Sequence, residues 1–337
     1  MRFAFTDEQL ELAAAVRDLF DKECTPEAVR VAWESADGRV PGLWGHLVEM
    51  GVVAMLAPEG VGGLAMREVD LVLLLAEAGR AAVPEGLSEV AMVAVPALRD
   101  HAQSDDAARY LELIGSGNTT VAVGLEPGGT VSHAAEAGVF LLGADDGLHL
   151  VDADVVEIRP LRSVDGSRRL SRLDWAPSRS TRLSGGVASL DQARARAALG
   201  AAAELCGLAD RMIEMTVGYV AERKQFGVPI GSFQAIKHHL ADALLAIEFA
   251  KPLVWRAADS LTNELVDAST HVSMAKAATS DAAQRVCDVA LQCHGAIGYT
   301  VEYDLHLYLK RAWALIRAAG DAAHHRRSVA AAVLRPT

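Results

Sequence analysis

The stretch Arg223-Lys224-Gln225-Phe226-Gly227-Val228-Pro229-Ile230-Gly231-Ser232-Phe233-Gln234 decides the reading of this chain. It sets an Arg-Lys pair at the end of a long Pro-free amphipathic run, then a Gly/Pro turn, then a Gln at the start of the next helical run. A guanidinium fork matches phosphate oxygens two at a time. A Gly turn lets backbone N–H groups approach an anion. A second polar, Gly-bearing turn follows at Leu291-Gln292-Cys293-His294-Gly295-Ala296-Ile297-Gly298-Tyr299. Taken alone, Arg223-Lys224 also reads as a solvated helix C-terminus whose cations suit the macrodipole.

Working outward, the region around these turns is helical. Ser189-Leu190-Asp191-Gln192 is a capping box and starts a helix predicted to run to about Arg223. Further helices are predicted over about Ser232–Leu261, with Pro252 as a kink, over about Asn263–Cys293, and from Tyr303 until Gly320 interrupts. Long antiparallel helices of this kind make a four-helix bundle. Upstream, Thr119–Val123, Val139–Leu142, Leu148–Val151, Val155–Ile158 and Arg169–Trp175 are short strand-like runs punctuated by Gly, Asp and Ser. The N-terminal part reads as helices. Thr6 and Gln9 form a capping box, Thr25-Pro26 opens a second helix, and Leu71–Ala82 and Asp105–Ile114 follow. The Gly-rich turn Pro58–Gly63 lacks the strand-then-helix context of a dinucleotide fingerprint. The expected architecture is α+β in three domains: an N-terminal helical domain (1–117), a small β-barrel-like domain (118–187) and a C-terminal bundle (188–337).

Composition narrows the function. The 32 basic against 44 acidic residues give a formal charge of −12, which argues against nucleic acid as a partner. The four Cys show no metal spacing and read as reduced, buried thiols of a cytoplasmic protein. No metal site is expected: the pairs His238-His239 and His324-His325 point to different helix faces, and H-E-x-x-H is absent. Neither a signal-peptide core nor a membrane-spanning apolar run is present.

The two turns resemble the R-K-x-F-G…Q and Q-x-x-G-G-x-G-Y segments of the acyl-CoA dehydrogenase family, and the order helices, β domain, bundle resembles its architecture over essentially the whole chain. In that family FAD lies across a subunit interface, and these segments hold its ADP arm from the neighbouring subunit. The resemblance implies that Arg223, Gln225, Phe226, Gln234, Gln292 and Gly295 contact an FAD arm, and that the substrate is an acyl-CoA with electrons leaving to an electron-transfer flavoprotein.

The chain departs from the family where the chemistry sits. The general-base Glu of the pattern Y-E-G-T matches Ala319 in Ala318-Ala319-Gly320-Asp321, and the alternative base position of one branch matches Ala197. A methyl group cannot abstract a proton. The T-E-P-G-x-G-S-D loop is reduced to Leu125–Thr130, and the W-I-T/S strand is not recognisable in Val139–Ala144. Asp321 stands where the family has a Thr that donates to the subunit's own flavin, and a carboxylate beside a pyrophosphate is repelled by ~1–4 kcal/mol. Gly-Gly has become Gly295-Ala296. This pattern resembles the heteromeric (α2β2) acyl-CoA dehydrogenases of actinobacterial steroid side-chain degradation. Those enzymes pair a base-lacking subunit with a homologous one bearing the catalytic Glu. Two alternatives stay open: a self-sufficient homo-oligomer using Asp321 as a relocated base, and a non-catalytic binding protein that reuses the fold. Glu204 and Glu214, on the first bundle helix, read as ion-paired or solvated.

Overall fold

The computed structural model describes residues 4–334; the outermost ends of the expected first and last domains, 1–3 and 335–337, lie outside the described residues. Helices α1 (Asp7–Glu23), α2 (Pro26–Glu34), α3 (Leu43–Glu49) and α4 (Glu68–Arg80) come first. A π-helical turn at Ser88–Ala94 runs into α5 (Val95–Asp100), and α6 (Asp105–Gly115) follows. Strands β1 (Val121–Gly124), β2 (Thr130–Val131), β3 (Val139–Ala144), β4 (Gly147–Asp152), β5 (Glu157–Pro160) and β6 (Ser171–Asp174) precede the long helix α7 (Gly186–Glu222). The remainder is a short hairpin, β7 (Lys224–Gln225) and β8 (Val228–Pro229), then α8 (Gln234–Thr262), α9 (Ala268–His294), α10 (Leu305–Arg317) and α11 (Ala322–Val333). The class is mixed α+β, as expected.

The chain forms two compact units, each assembled from separate segments. One comprises residues 27–71 and 84–200. Its two three-stranded sheets have the orders β1-β3-β4 and β2-β6-β5, with β1 parallel to β3 and the other pairings antiparallel. Both sheets contribute to one apolar cluster: Ala122 of β1, Val131 of β2, Phe140 and Leu142 of β3 and Val151 of β4, with Ile158 and Leu173 packed against it. Every residue of β3 is buried, so its sequence is a continuous apolar run rather than an alternating one. Burying one such side chain is worth roughly 1.5–3 kcal/mol. The same unit buries an ionic bridge. Arg196, 4% exposed, reaches Glu68, 2% exposed, at 3.0 Å and Asp100 at 2.9 Å.

Of the described residues, the other unit comprises 4–26, 72–83 and 201–334. Thr6 caps α1 through the reciprocal box expected with Gln9. On α8, Ala243, Ile247, Ala250, Val254 and Ala257 are buried at helical spacing, and α9 offers a small-residue face with Val272, Ala275, Ala283, Val286 and Ala290. Small residues let two helix backbones approach closely. Glu204 and Glu214 are both ion-paired, Glu204 with the buried Arg311 at 3.6 Å and Glu214 with Arg80 at 2.9 Å.

Two boundaries differ from expectation for local reasons. α7 starts at Gly186, three residues before the anticipated cap, because Gly185 and Gly186 take φ of +82° and +57° and reverse the chain there. The Ser189 hydroxyl donates instead to the Ser184 carbonyl at 3.0 Å. α9 starts at Ala268 rather than near Asn263, since Glu264 is left-handed at φ +50° and breaks the run.

Candidate functional site

The end of α7 builds the first motif. After Glu222 the chain reverses through β7 and β8, paired Lys224 with Pro229 and Gln225 with Val228. The two residues at the tip, Phe226 and Gly227, have φ of +51° and +83°. A two-residue hairpin turn of this hand requires both central residues left-handed, a demand that Gly227 meets freely and Phe226 meets under strain. The Phe226 ring is 93% exposed, and its edge-to-face neighbour, 6.2 Å away, is Phe233. The Ile230 N–H donates to the Arg223 carbonyl at 2.8 Å and fixes the turn. Arg223, Gln225 and Gln234 are exposed, and among the described residues Arg223 makes no ion pair.

The end of α9 builds the second motif. Gly295 terminates the helix at φ +66°, ψ −143°, and no atom lies within 4 Å of where a side chain would begin. Gln292 and Gly295 are exposed. Ala296 lies outside the left-handed region, so the Gly-to-Ala departure costs the backbone nothing there.

Tyr219, one helical turn before Arg223, brings the two motifs to the same end of the bundle. Its ring stacks on His294 at 4.4 Å and 25°, its hydroxyl donates to the His294 carbonyl at 3.4 Å, and Tyr303 closes the cluster at 5.8 Å. Ala290 O accepts from His294 Nδ1 at 2.7 Å, which leaves Nε2 unprotonated and, among the described residues, without a partner. Burial holds the His294 pKa below the usual imidazole value. The sequence reading missed Tyr219 and Tyr303. Their only sequence signal is the one-turn spacing of Tyr219 from Arg223.

The two positions expected from the sequence to bear the base hold no titratable atom. Ala319 is exposed and left-handed at φ +53°, between α10 and α11. Ala197 lies on α7 beside the buried Arg196. Asp321 caps α11, its carboxylate accepting from the His324 N–H at 2.7 Å, and that backbone donor holds its pKa below the usual carboxylate value.

Beneath this loop lies a buried pair that the sequence reading did not find. Lys276 of α9 is fully buried and donates to the Ile316 carbonyl at 3.1 Å, the Gly320 carbonyl at 2.9 Å and the Ser280 hydroxyl at 3.1 Å. Burial pulls its pKa down to about 8. His325 of α11 donates from Nε2 to the Ala319 carbonyl at 2.8 Å and accepts at Nδ1 from Ser273 at 3.2 Å. Burial lowers its pKa to about 4.

Two cavities lie elsewhere. One of about 200 Å³ is lined by Arg17, Glu77, Arg80, Asp210, Glu214 and Leu244, with Arg17 bound to Glu77 and Arg80 to Glu214. The other, about 10 Å³, lies among Arg39, Trp44, Glu89, Thr120 and His133 and has room for roughly one water. None of the sequence-expected site residues lines either. Among the described residues no helix is long and apolar enough to cross a membrane.

Comparison with known proteins agrees with this architecture. Residues 6–118 match the acyl-CoA dehydrogenase N-terminal domain and residues 185–334 the acyl-CoA dehydrogenase C-terminal domain. The chain is 34% identical over 308 residues to acyl-CoA dehydrogenase IpdE2 of Mycolicibacterium smegmatis, covering 91% of this chain and 93% of that one. It superposes on a chain of the ChsE4-ChsE5 complex from Mycobacterium tuberculosis with a TM-score of 0.91 at 24% identity, over 100% of both. It also superposes on a chain of a Tcur3481-Tcur3483 steroid ACAD variant with a TM-score of 0.88 at 24% identity, over 97% and 98%. The chain belongs to the acyl-CoA dehydrogenase family, whose members are FAD-dependent oxidoreductases acting on acyl-CoA thioesters.

Proposed function

We propose that this chain is the base-lacking subunit of a heteromeric acyl-CoA dehydrogenase, contributing the site for the ADP arm of FAD while a homologous subunit contributes the catalytic Glu. The observation that carries the reading is a contrast within the chain. Tyr219 ties the Arg223 and Gln292 turns to one end of the bundle, whereas both positions expected to bear the base, Ala319 and Ala197, end in a methyl group. In this reading Arg223 grips a phosphate through its fork. Gln225, Gln234 and Gln292 supply polar contacts, Phe226 offers a ring face, and Gly295 leaves room for the arm to approach. When bound, FAD supplies the acceptor for the β-hydride of an acyl thioester whose α-proton the partner's carboxylate removes.

The ChsE4-ChsE5 structure is a complex of two differently named chains, and a second neighbour is described as a steroid ACAD. They support a hetero-oligomer and one substrate class, a bulky, polycyclic, steroid-derived acyl-CoA. An electron-transfer flavoprotein as electron acceptor, a cytoplasmic location and the three-domain division at 117/118 and 187/188 belong to the same reading.

The test is flavin stoichiometry. Expressed alone, the chain is expected to carry little FAD; co-expressed with its homologous partner, the complex is expected to hold one FAD per heterodimer and to oxidise an acyl-CoA. Partner-free material that is fully flavinated and turns over by itself sinks the proposal.

The homo-oligomeric alternative needs Asp321 as base. Its carboxylate is engaged as a helix cap and its pKa is lowered, the wrong direction for a proton acceptor near neutral pH. Asn caps helices about as well as Asp, so Asp321→Asn in the assembled enzyme is expected to leave kcat within about twofold. Loss of turnover with flavin retained would identify Asp321 as the base.

A further inference from the structure

We propose that Lys276 and His325 form an acid-opened latch that clamps segment 317–321, and with it the start of α11, onto α9. The geometry is that of a clasp. Three carbonyls are each taken by a buried side-chain donor: Ile316 at the end of α10 and Gly320 of the α10–α11 connection by Lys276, and Ala319 of the connection by His325 of α11, whose Nδ1 accepts in turn from Ser273 of α9. Two consecutive residues there, Ala319 and Gly320, are left-handed at φ +53° and +90°, a conformation that Ala holds only when its surroundings impose it. Lifting the segment with the start of α11 breaks the two bonds that cross to α9, Lys276 to the Gly320 carbonyl and Ser273 to His325, and opens both donors to water.

Protons drive the lift because each donor is buried in its proton-poor preference. Lys276 hydrogen-bonds only neutral oxygens, so its charge is poorly compensated. The charges around the pair are Asp321 on the connection, His324 and Arg327 on α11, and Lys276 itself acting on His325. Nearby, Asp281 of α9 is spoken for by Arg326, and Arg317 at the end of α10 is exposed. Closed, Lys276 titrates at about 8 instead of 10.5, and His325 at about 4 instead of 6.5. The open segment therefore binds more protons than the closed one in both windows. Closure strengthens as pH rises through either window and weakens as pH falls, by about tenfold in the opening constant per pH unit.

Hydrogen–deuterium exchange of peptides covering 317–326 in the full chain, corrected for intrinsic rates, tests this between pH 5 and 9.5. Protection is expected to rise roughly fifteenfold from pH 5 to 6.5 and roughly fifteenfold again from pH 8 to 9.5, since each window reaches one of the pKa values, where the slope halves. His325→Phe is expected to remove the lower limb and Lys276→Met the upper. A flat wild-type profile, or variants that keep both limbs, would overturn the latch. Should Lys276→Met fail to fold, the wild-type profile and the His325→Phe limb still decide it.

Discussion

Arg196→Ala is expected to cost the chain about 3–5 kcal/mol of stability, the range for removing one partner of a buried ion pair. Among the described residues Arg196 is the one cation that contacts both Glu68 and Asp100, at 3.0 and 2.9 Å. Glu68 is 2% exposed. Truncating the guanidinium strands that carboxylate without water to solvate it, and the desolvation penalty then stands uncompensated. The measurement is the denaturant midpoint of the purified chain. A second variant separates charge from packing: Arg196→Met with Glu68→Gln removes both buried charges and is expected to lose less than Arg196→Ala alone. A loss under about 1 kcal/mol for Arg196→Ala, the size of a surface pair, would mean that the bridge is wetter than its burial indicates.

Arg223→Ala is expected to act in the opposite manner, on ligand affinity with little effect on folding. The side chain is exposed and makes no ion pair among the described residues, so the denaturant midpoint should hardly move. In the assembled enzyme, loss of its charged hydrogen bonds should weaken FAD binding by ~1.5–3 kcal/mol, or roughly ten- to hundredfold in Kd. Arg223→Lys keeps the charge but not the planar fork and should fall between. Flavin titration of the apo-complex measures both. Unchanged affinity in Arg223→Ala would remove the arm site from this end of the bundle.

Much of the fold was legible because long helices announce themselves. The Pro-free run before Arg223, the capping box at Thr6 and the apolar stripe of α8 each carry a period that survives a few misplaced residues. Short elements carried no such redundancy. α3 has only seven residues behind the left-handed Gly42, β2 has two, and the π-helical turn at Ser88–Ala94 lacks the helical period altogether. The hairpin at Phe226 was legible as a turn but not as paired strands, because its strands hold two residues each.

At the candidate site, residue types such as Arg223 and Gly295 were readable and their support was not. Tyr219 and His294 meet across 75 residues, and no local spacing encodes that encounter. Lys276 looks in sequence like an ordinary solvated helix cation. The available clue was negative: its neighbours one turn away, Val272 and Ser280, offer no carboxylate.

The hairpin tip carries one more consequence. Left-handed backbone at a bulky aromatic costs about 1–2 kcal/mol, and the Phe226 ring, almost wholly in water, recovers little of it inside the chain. With the ring serving the proposed arm site, folding and use pull apart at this residue: a polypeptide optimised for heat tolerance in isolation would shed the ring.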